Sequence, residues 1–524
     1  MIINGIRILD VFKKNRLLDE QNTPFFYLIE VQKSIGIIGA GFAGMTAAAL
    51  LAKYGHKVTL IEKNSTPGGR ASIIEENGYR FDKGPSFYWM PDIFERFFNH
   101  FGKSAKDYYQ LTRLDPSYKI FWKDREPINM PASLTEVEHL FESIEPGAGT
   151  KLKHYLSEAQ KKYEIGMGEF VYLPSLSFSE YIDWRLLKNV FSLDLFQSIS
   201  SHIGKHFKNT YLRQILEFPV LFLGAKPSET PALFSLMNYA DIVLGSWYPQ
   251  GGMYEVSKAF YKTGIEQGVQ YRFDEEVQSV HALNDGKISM TIHSGDTLSF
   301  DYIIAGADYH HVESDLLNAA SRSYDEKYWN ERSLAPSTLL YFLGFDRVIP
   351  HLAHHSLFFD ASFDAHAREI YDQPAWPADP LFYTNSSSLS DESCAPPGHH
   401  NLVALIPVSP ELTDTDDVKQ KYLDIILNRI ALHTEIDVRA HLVYQRSYAQ
   451  RDFIRDYHSF KGNAYGLANT LMQTGPLRPA IQSKKIKNLF YAGQLTVPGP
   501  GVPPAIISGE IVANFIHKQI STTS

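Results

Sequence analysis

Apolar and polar positions follow three rhythms along this chain, and their order predicts its elements. Ile35–Ile38 is a short continuous apolar run, read as a buried strand. Met45–Lys53 is rich in Ala and Leu and reads as a helix, and Lys57–Ile61 is a second strand that runs into Glu62. Further on, Ile93, Phe94, Phe97, Phe98 and Phe101 share one face of a helix over Pro91–Gly102. A strand is expected at Lys119–Trp122. Ser133, with Glu136 three residues later, opens a helix in capping-box fashion, and Lys151–Gly166 is amphipathic. Met167–Tyr248 is strongly apolar with few strand signals and reads as mainly helical. Short strands follow at Val269–Phe273, Val277–Leu283 and Ile288–His293, and Asp301–Asp308 reads as a buried strand ending at a turn. From Ser337 strands at Leu339–Gly344, Ser356–Phe359, Pro380–Tyr383 and Leu402–Pro407 mix with a helix at Thr415–His433. A last buried strand, Lys487–Gln494, meets a Gly/Pro turn and then a helix over Ala505–Lys518.

The first of these runs holds chemistry. Between strand and helix stands Gly39-x-Gly41-x-x-Gly44, so strand, Gly-rich turn, helix and strand follow in the order of a dinucleotide-binding βαβ unit. Gly39 permits the tight turn, Gly41 lets backbone approach a pyrophosphate, and Gly44 lets the helix pack close to the sheet. The helix N-terminus, at Ala40, Phe42 and Ala43, offers free N–H groups and a favourable dipole to phosphate. Glu62 lies 62 − 44 = 18 positions past the last Gly, close to the roughly 20 expected of an acid that takes ribose hydroxyls. Lys63 follows it.

Composition narrows the classes. With 524 residues the chain is too long for one ordinary core, so two or more interleaved domains are expected. A hydrophobic share of 44% and a charged share of 21% fit a globular protein, and a net charge of −9 argues against a nucleic-acid partner. Cys394 is the single cysteine, which excludes an internal disulfide and a cysteine metal cluster. The doublets His310-His311 and His354-His355 lack metal spacing and are read as satisfied structural or surface residues, so no metal is expected. No stretch reads as a transmembrane helix; the uncharged run Ile35–Ala52 belongs to the nucleotide fold. Residues 1–33 carry no signal-peptide pattern and read as an extension ahead of the fold. An ordered extra strand (Phe25–Val31 is apolar enough), a disordered tail and an upstream start codon all fit it.

Motifs beyond the first unit point to the cofactor. Gly68-Gly69-Arg70 follows the acidic strand end, where a nicotinamide-only domain requires nothing of the kind. It resembles the turn with which a large flavoprotein group passes beneath the flavin's phosphates, Arg70 supplying a cation, and it favours FAD over NAD. Gly84-Pro85-Ser86 is a sharp turn brought near the cofactor, and Val277 is placed to contact the adenine. At the far end, Gly493 and the turn Gly501-Val502-Pro503 lead into a helix whose N-terminus would stabilise negative charge on reduced flavin at its N1/C2=O edge.

With both ends of that site in view, the chain resembles the flavin-dependent carotenoid desaturases, bacterial phytoene desaturases in particular, over roughly Ser34–Ile516. The first motif and Gly69-Arg70 are shared with many FAD oxidoreductases, amine oxidases included. Phe81–Ser86, Trp247–Met253, His354–Phe359, Lys461–Thr474 and above all Tyr491–Gly509 are more specific. The resemblance implies an α/β fold of amine-oxidase-like flavoprotein architecture: a Rossmann-like FAD-binding domain interleaved with an α+β substrate-binding domain and a helical, membrane-facing lid. The expected partition is an extension at 1–33, FAD-binding segments at 34–115, 246–312 and 484–524, a substrate and lid region at 116–245, and a substrate-binding domain at 313–483. It also implies a C40 isoprenoid hydrocarbon substrate, phytoene, converted to lycopene. A cytoplasmic enzyme on the membrane surface, with oxygen or a quinone as final electron acceptor, is expected. A dehydrosqualene desaturase, a hydroxy-carotenoid desaturase and a carotenoid ketolase or oxidase are alternative outputs, and a non-catalytic isoprenoid-binding protein a remote one. Desaturation removes a hydride and a proton from adjacent carbons beside existing double bonds. The allylic cation spreads its charge, so proton loss needs only a weak base, and no catalytic residue is singled out.

Overall fold

Two large sheets organise the computed structural model, which describes residues 32–181, 197–221 and 224–523 together with the backbone of a short pair, Ile2–Ile3 with Ile6–Arg7. The segment Phe25–Val31, for which an extra strand is one of three readings, lies outside the described residues, as do 182–196 and 222–223 of the apolar block.

The first sheet has five parallel strands in the order Gln270–Arg272, Lys57–Ile61, Ser34–Ile38, Tyr302–Ala305 and Leu489–Tyr491. Parallel strands are buried on both faces, which explains their continuous apolar runs. The central strand Ser34–Ile38 shows how both faces are filled. Ile35 and Ile37 pack with the helix Phe42–Lys53, while Ile38 joins a separate core with Val280, Met290 and Phe300. On that second face lies an antiparallel sheet, Val277–Ala282, Ile288–Ile292 and Thr297–Phe300. It approaches so closely that a Cβ on Gly36 would sit 2.6 Å from Met290 Cε. The C-terminal helix Val502–Thr523 lies against helix Phe42–Lys53, and a Cβ on Gly509 would overlap the Ala43 carbonyl.

The second sheet is mixed. Its order is Leu442–Tyr448, Ser337–Phe345, His400–Val408, Phe382–Asn385, His355–Phe358, Tyr118–Phe121 and Ile128–Met130. Neighbours are antiparallel except His355–Phe358 with Tyr118–Phe121. Strand Ser337–Phe345 is buried along its whole length, and its alternate residues serve two cores. Leu339, Tyr341 and Leu343 pack on the helix Asp416–Thr434. Leu340 and Phe342 face Tyr79 and Phe81 of the hairpin Ile73–Glu76 and Tyr79–Asp82.

Several expected boundaries shift. The Phe-rich helix ends at Asn99 rather than Gly102. Ser133 stands at the cap of helix Leu134–Ile144, but its side chain accepts no capping bond. The strand expected at Pro380–Tyr383 is Phe382–Asn385, and the final helix begins at Val502, inside the Gly/Pro turn, because Pro fits a helix's first turn. The apolar block contributes helices Ile199–His206 and Thr210–Leu221, which pack with Ala148–Ile165. Among the described residues no helix is long and apolar enough to cross a membrane.

Candidate functional site

Strand Ser34–Ile38 is the point where the parallel sheet is built outward in both directions, and a crevice opens beyond its carboxyl end. A cavity of about 380 Å³ lies there. Gly39 leaves the strand with φ of +98°, and its N–H donates to the Ile61 carbonyl at 2.8 Å. Gly44 is the packing residue: a Cβ there would overlap the Gly39 carbonyl oxygen. Gly41 differs, since a Cβ on it would meet nothing within 4 Å. Its smallness therefore serves the cavity and not the fold. Gly69, at φ +55°, lies against Gly41 across the same opening.

The helix Phe42–Lys53 has no side-chain cap, so its first N–H groups are open to the cavity that Gly41, Phe42 and Ala43 line. The helix Val502–Thr523 also begins at this cavity, through Val502, Pro503, Pro504 and Ala505. Two packed helices thus bring their positive ends to one space.

All the residues singled out from the sequence line this cavity except Ala40 and Gly44: Gly39, Gly41, Phe42, Ala43, Glu62, Lys63, Gly69, Arg70, Gly84, Pro85, Ser86, Val277, Gly493, Gly501, Val502 and Pro503. Ala40 is fully buried, and its N–H donates to Glu62 Oε2 at 2.7 Å; Gly44 is held back by its packing role. Glu62 Oε1 accepts from the Asn64 N–H and from its Nδ2, each at 2.8 Å. The carboxylate is thereby fixed before any ligand arrives.

Arg70 is half-buried, donates from Nη2 to Ser459 Oγ at 2.6 Å, and lies over the Tyr457 ring. Its Nε is buried without a partner, an orphan donor on the wall of a cavity ringed by helix N-termini. Burial lowers the Arg70 pKa, and Asp308 draws it back up. Asp308, itself buried, is pushed up by desolvation and restrained first by Arg70, then by the Phe460 N–H. An open backbone approach at Gly41, two helix N-termini and a guanidinium whose buried Nε has no partner form a donor set that fits an anionic dinucleotide.

Sequence reasoning missed part of the wall. Asp308, Tyr309, Tyr448, Asp456, Tyr457 and His458 line the cavity, and so does His311 of a doublet read as structural or surface. His311 bonds to Asp315 and stacks on His458, whose Nε2 lies 2.6 Å from Glu276 Oε1. These residues come from a short helix and its cap, a strand end and the end of helix Gln450–Tyr457, and the chain carries no local pattern that joins them. The other doublet is buried. His355 Nδ1 bonds to the Tyr383 hydroxyl at 2.7 Å and His354 Nδ1 to Ser390 Oγ at 2.9 Å. Both Nε2 atoms lack a partner, which corrects the expectation of satisfied rings. Burial pushes His354 down to about 3 and His355 well below the ordinary value, so both rings are neutral.

A second cavity, of about 460 Å³, adjoins the first. Tyr383, Leu405 and Tyr465 belong to the walls of both. Beyond them Phe218, Leu357, Phe359, Phe363, Ile370 and Leu381 supply an apolar lining, and Glu217, Ser200 and Lys226 a polar margin.

Comparison with known proteins fits this geometry. The pattern of the family described as flavin-containing amine oxidoreductase matches residues 42–517. A carotenoid 3,4-desaturase of Haloarcula japonica is 40% identical over 93% of this chain and 99% of its own. A zeta-carotene-forming phytoene desaturase of Myxococcus xanthus is 28% identical over 93% of this chain and 95% of its own. Among solved structures, a variant of putrescine oxidase superposes with a TM-score of 0.59 at 13% identity, over 93% of this chain and 99% of that one, a likeness of fold. The chain belongs to the flavin-containing amine oxidoreductases and, among them, to the carotenoid desaturases, with FAD as its cofactor.

Proposed function

We propose that the enzyme desaturates an acyclic C40 carotenoid at the C3–C4 bond, beside the conjugated chain. The observation that carries a long apolar substrate is the adjacency of the two cavities, which share Tyr383, Leu405 and Tyr465 as wall residues. A hydrocarbon chain offers no polar handle, so its binding rests on buried apolar area, at about 25 cal/mol per Å². The wall formed by Phe218, Leu357, Phe359 and Phe363 supplies such area next to the cofactor cavity. The choice of C3–C4 is supported by the Haloarcula relative, aligned over nearly the whole of both chains.

FAD, when bound, supplies the hydride acceptor. In this reading the Gly39–Gly44 turn and the N–H groups at Phe42 and Ala43 hold its pyrophosphate, and Glu62 takes the adenosine ribose hydroxyls. Val277 lies at the adenine, Arg70 supplies a cation, and the helix end at Val502–Pro503 faces the flavin ring. The remaining residues orient the substrate and exclude water. Tyr383 hydrogen-bonds to Ser86 Oγ and to His355 Nδ1, each at 2.7 Å, which fixes its ring where the two cavities meet. No side chain with a free nucleophile is required.

Delivery from a membrane surface is part of the same proposal. Phe178 is 61% exposed and Met472 70%, with Leu176 and Leu471 exposed beside them in sequence. The two segments are neighbours in space: a Cβ on Gly475 would sit 3.0 Å from the Tyr181 hydroxyl. Oxygen or a membrane quinone takes the electrons onward.

The test is incubation of flavin-loaded enzyme in liposomes with either phytoene or an already conjugated acyclic carotenoid. Conversion of the conjugated substrate alone, with absorption shifted to the red by one added double bond, is expected. Desaturation of phytoene would instead favour the second reading, in which phytoene is the substrate; the Myxococcus relative, a zeta-carotene-forming phytoene desaturase, supports that substrate.

A further inference from the structure

Away from both cavities, two helices of the apolar block bring together a set of metal-type donors. His202 and His206 stand four residues apart on helix Ile199–His206, a spacing that puts them on one face. Glu158 faces them from helix Ala148–Ile165. One donor atom from each of the three lies within 4.8 Å of the others. His202 Nε2 is 3.7 Å from Glu158 Oε2, wider than a hydrogen bond, and the two imidazole centroids are 5.2 Å apart. Tyr155 closes the inner side, its ring 5.5 Å from His202 and 5.6 Å from His206, with its hydroxyl donated to Asn238 Oδ1. His202 is buried, while Glu158 and His206 are half-exposed, so the cluster has a fixed floor and a mouth open to solvent. His154, one turn before Glu158 and 3.5 Å from its Oε1, stands at that mouth.

We propose that Glu158, His202 and His206 form a binding site for a divalent transition-metal cation of the Zn²⁺ class, which clamps helix Ile199–His206 to helix Ala148–Ile165. Two imidazoles and a carboxylate are a donor set that Zn²⁺ takes, with metal–ligand distances of about 2.0–2.2 Å and a remaining position for water. Tetrahedral geometry at those lengths puts donors roughly 3.3 Å apart, a closure that side-chain rotation at half-exposed Glu158 and His206 can supply. The clamp has a consequence for the substrate cavity. Ser200, on the same short helix, lines that cavity and donates to Glu217 Oε1 at 2.6 Å. Metal occupancy would therefore hold one wall of the cavity in place. No local pattern marks a metal here, because the donors come from two segments more than forty positions apart.

The test uses the flavin-loaded enzyme, stripped with a chelator, dialysed against Zn²⁺ and analysed by elemental mass spectrometry. Its outcome does not depend on the substrate. One zinc per chain is expected, with a melting temperature that rises with Zn²⁺ concentration. The zinc X-ray absorption spectrum should show the outer-shell scattering of two imidazoles. Glu158→Gln and His206→Ala should keep their flavin and lose the zinc to background. Zinc no higher than background in the wild type, variants that hold zinc as the wild type does, or a spectrum without imidazole scattering would each overturn the proposal. Should a variant lose its flavin, the wild-type spectrum decides.

Discussion

The cavity we assign to FAD and the apolar cavity beside it are walled by different parts of the chain. One side of the first is made of backbone: Gly39, Gly41, Gly69 and Gly501, and the starts of two helices. The second is made of side chains, Phe218, Leu357, Phe359 and Phe363 among them, drawn from two helices, a strand and the residue that follows it. A backbone wall demands particular residues, because only glycine leaves the space or takes the dihedral. A side-chain wall demands only bulk and apolarity, which many residues satisfy. The first cavity is therefore fixed in chemistry and the second is free to change substrate.

The sharpest break of this comparison lies within the Gly-rich turn. Gly44→Ala places a methyl group on the Gly39 carbonyl, a backbone atom with little room to move. Overpacking of this kind costs ~1–3 kcal/mol, and more where backbone must shift. The variant is expected to be recovered in low yield without flavin, read by absorbance per chain. Gly41→Ala is the counterpart. Its methyl group meets nothing, and Gly41 has an extended φ of −76° that Ala adopts freely. Thermal stability of the flavin-free protein should stay within about 0.5 kcal/mol, while FAD affinity falls at least tenfold. Normal flavin content in Gly41→Ala would show that no pyrophosphate approaches there.

The junction between the cavities comes next. Leu405 lies on strand His400–Val408 and in both walls. Leu405→Trp should leave flavin absorbance intact and slow turnover of a long carotenoid at least tenfold, or ~1.4 kcal/mol of barrier. Unchanged turnover would mean that the substrate does not pass this point.

The same contrast explains what could be read from the chain. Glu62 and the glycines around it were legible because a βαβ unit fixes their spacing within one local stretch. Val502 and Pro503 were legible as a turn before a helix, although the helix starts earlier than its apolar pattern suggested. Asp308, Tyr457 and His458 were not, since they reach the cavity from the cap of one helix and the end of another, separated by some 150 residues. Tyr383, Leu405 and Tyr465 were placed in strands or loops without a hint that they meet. Long-range side-chain convergence leaves no periodic mark, whereas a turn that needs glycine does. Gly44 was legible in its packing role, and the structure places it there, outside the cavity lining.

The smallest expected effect concerns a buried acid in the helical block rather than either cavity. Asp241 is buried; Tyr118 donates to its Oδ2 at 2.8 Å, while Oδ1 has no partner. Burial raises its pKa to about 7, against the hydrogen bond from Tyr118 and the charge of Arg113. The folded chain therefore takes up this proton below about pH 7, while the unfolded chain does so only near the ordinary value of 3.8. An acid raised in this way stabilises the fold fully at pH values below the unfolded pKa, and loses that contribution as pH rises through the folded one. Between about pH 6 and about pH 8 the loss amounts to roughly 1 kcal/mol. Denaturant titrations of the wild type across this range should show stability falling with pH, and Asp241→Asn, which cannot ionise, should flatten that slope. An Asn variant with the same slope as the wild type would show that the proton sits elsewhere, and that this part of the apolar block is more open to water than its packing implies.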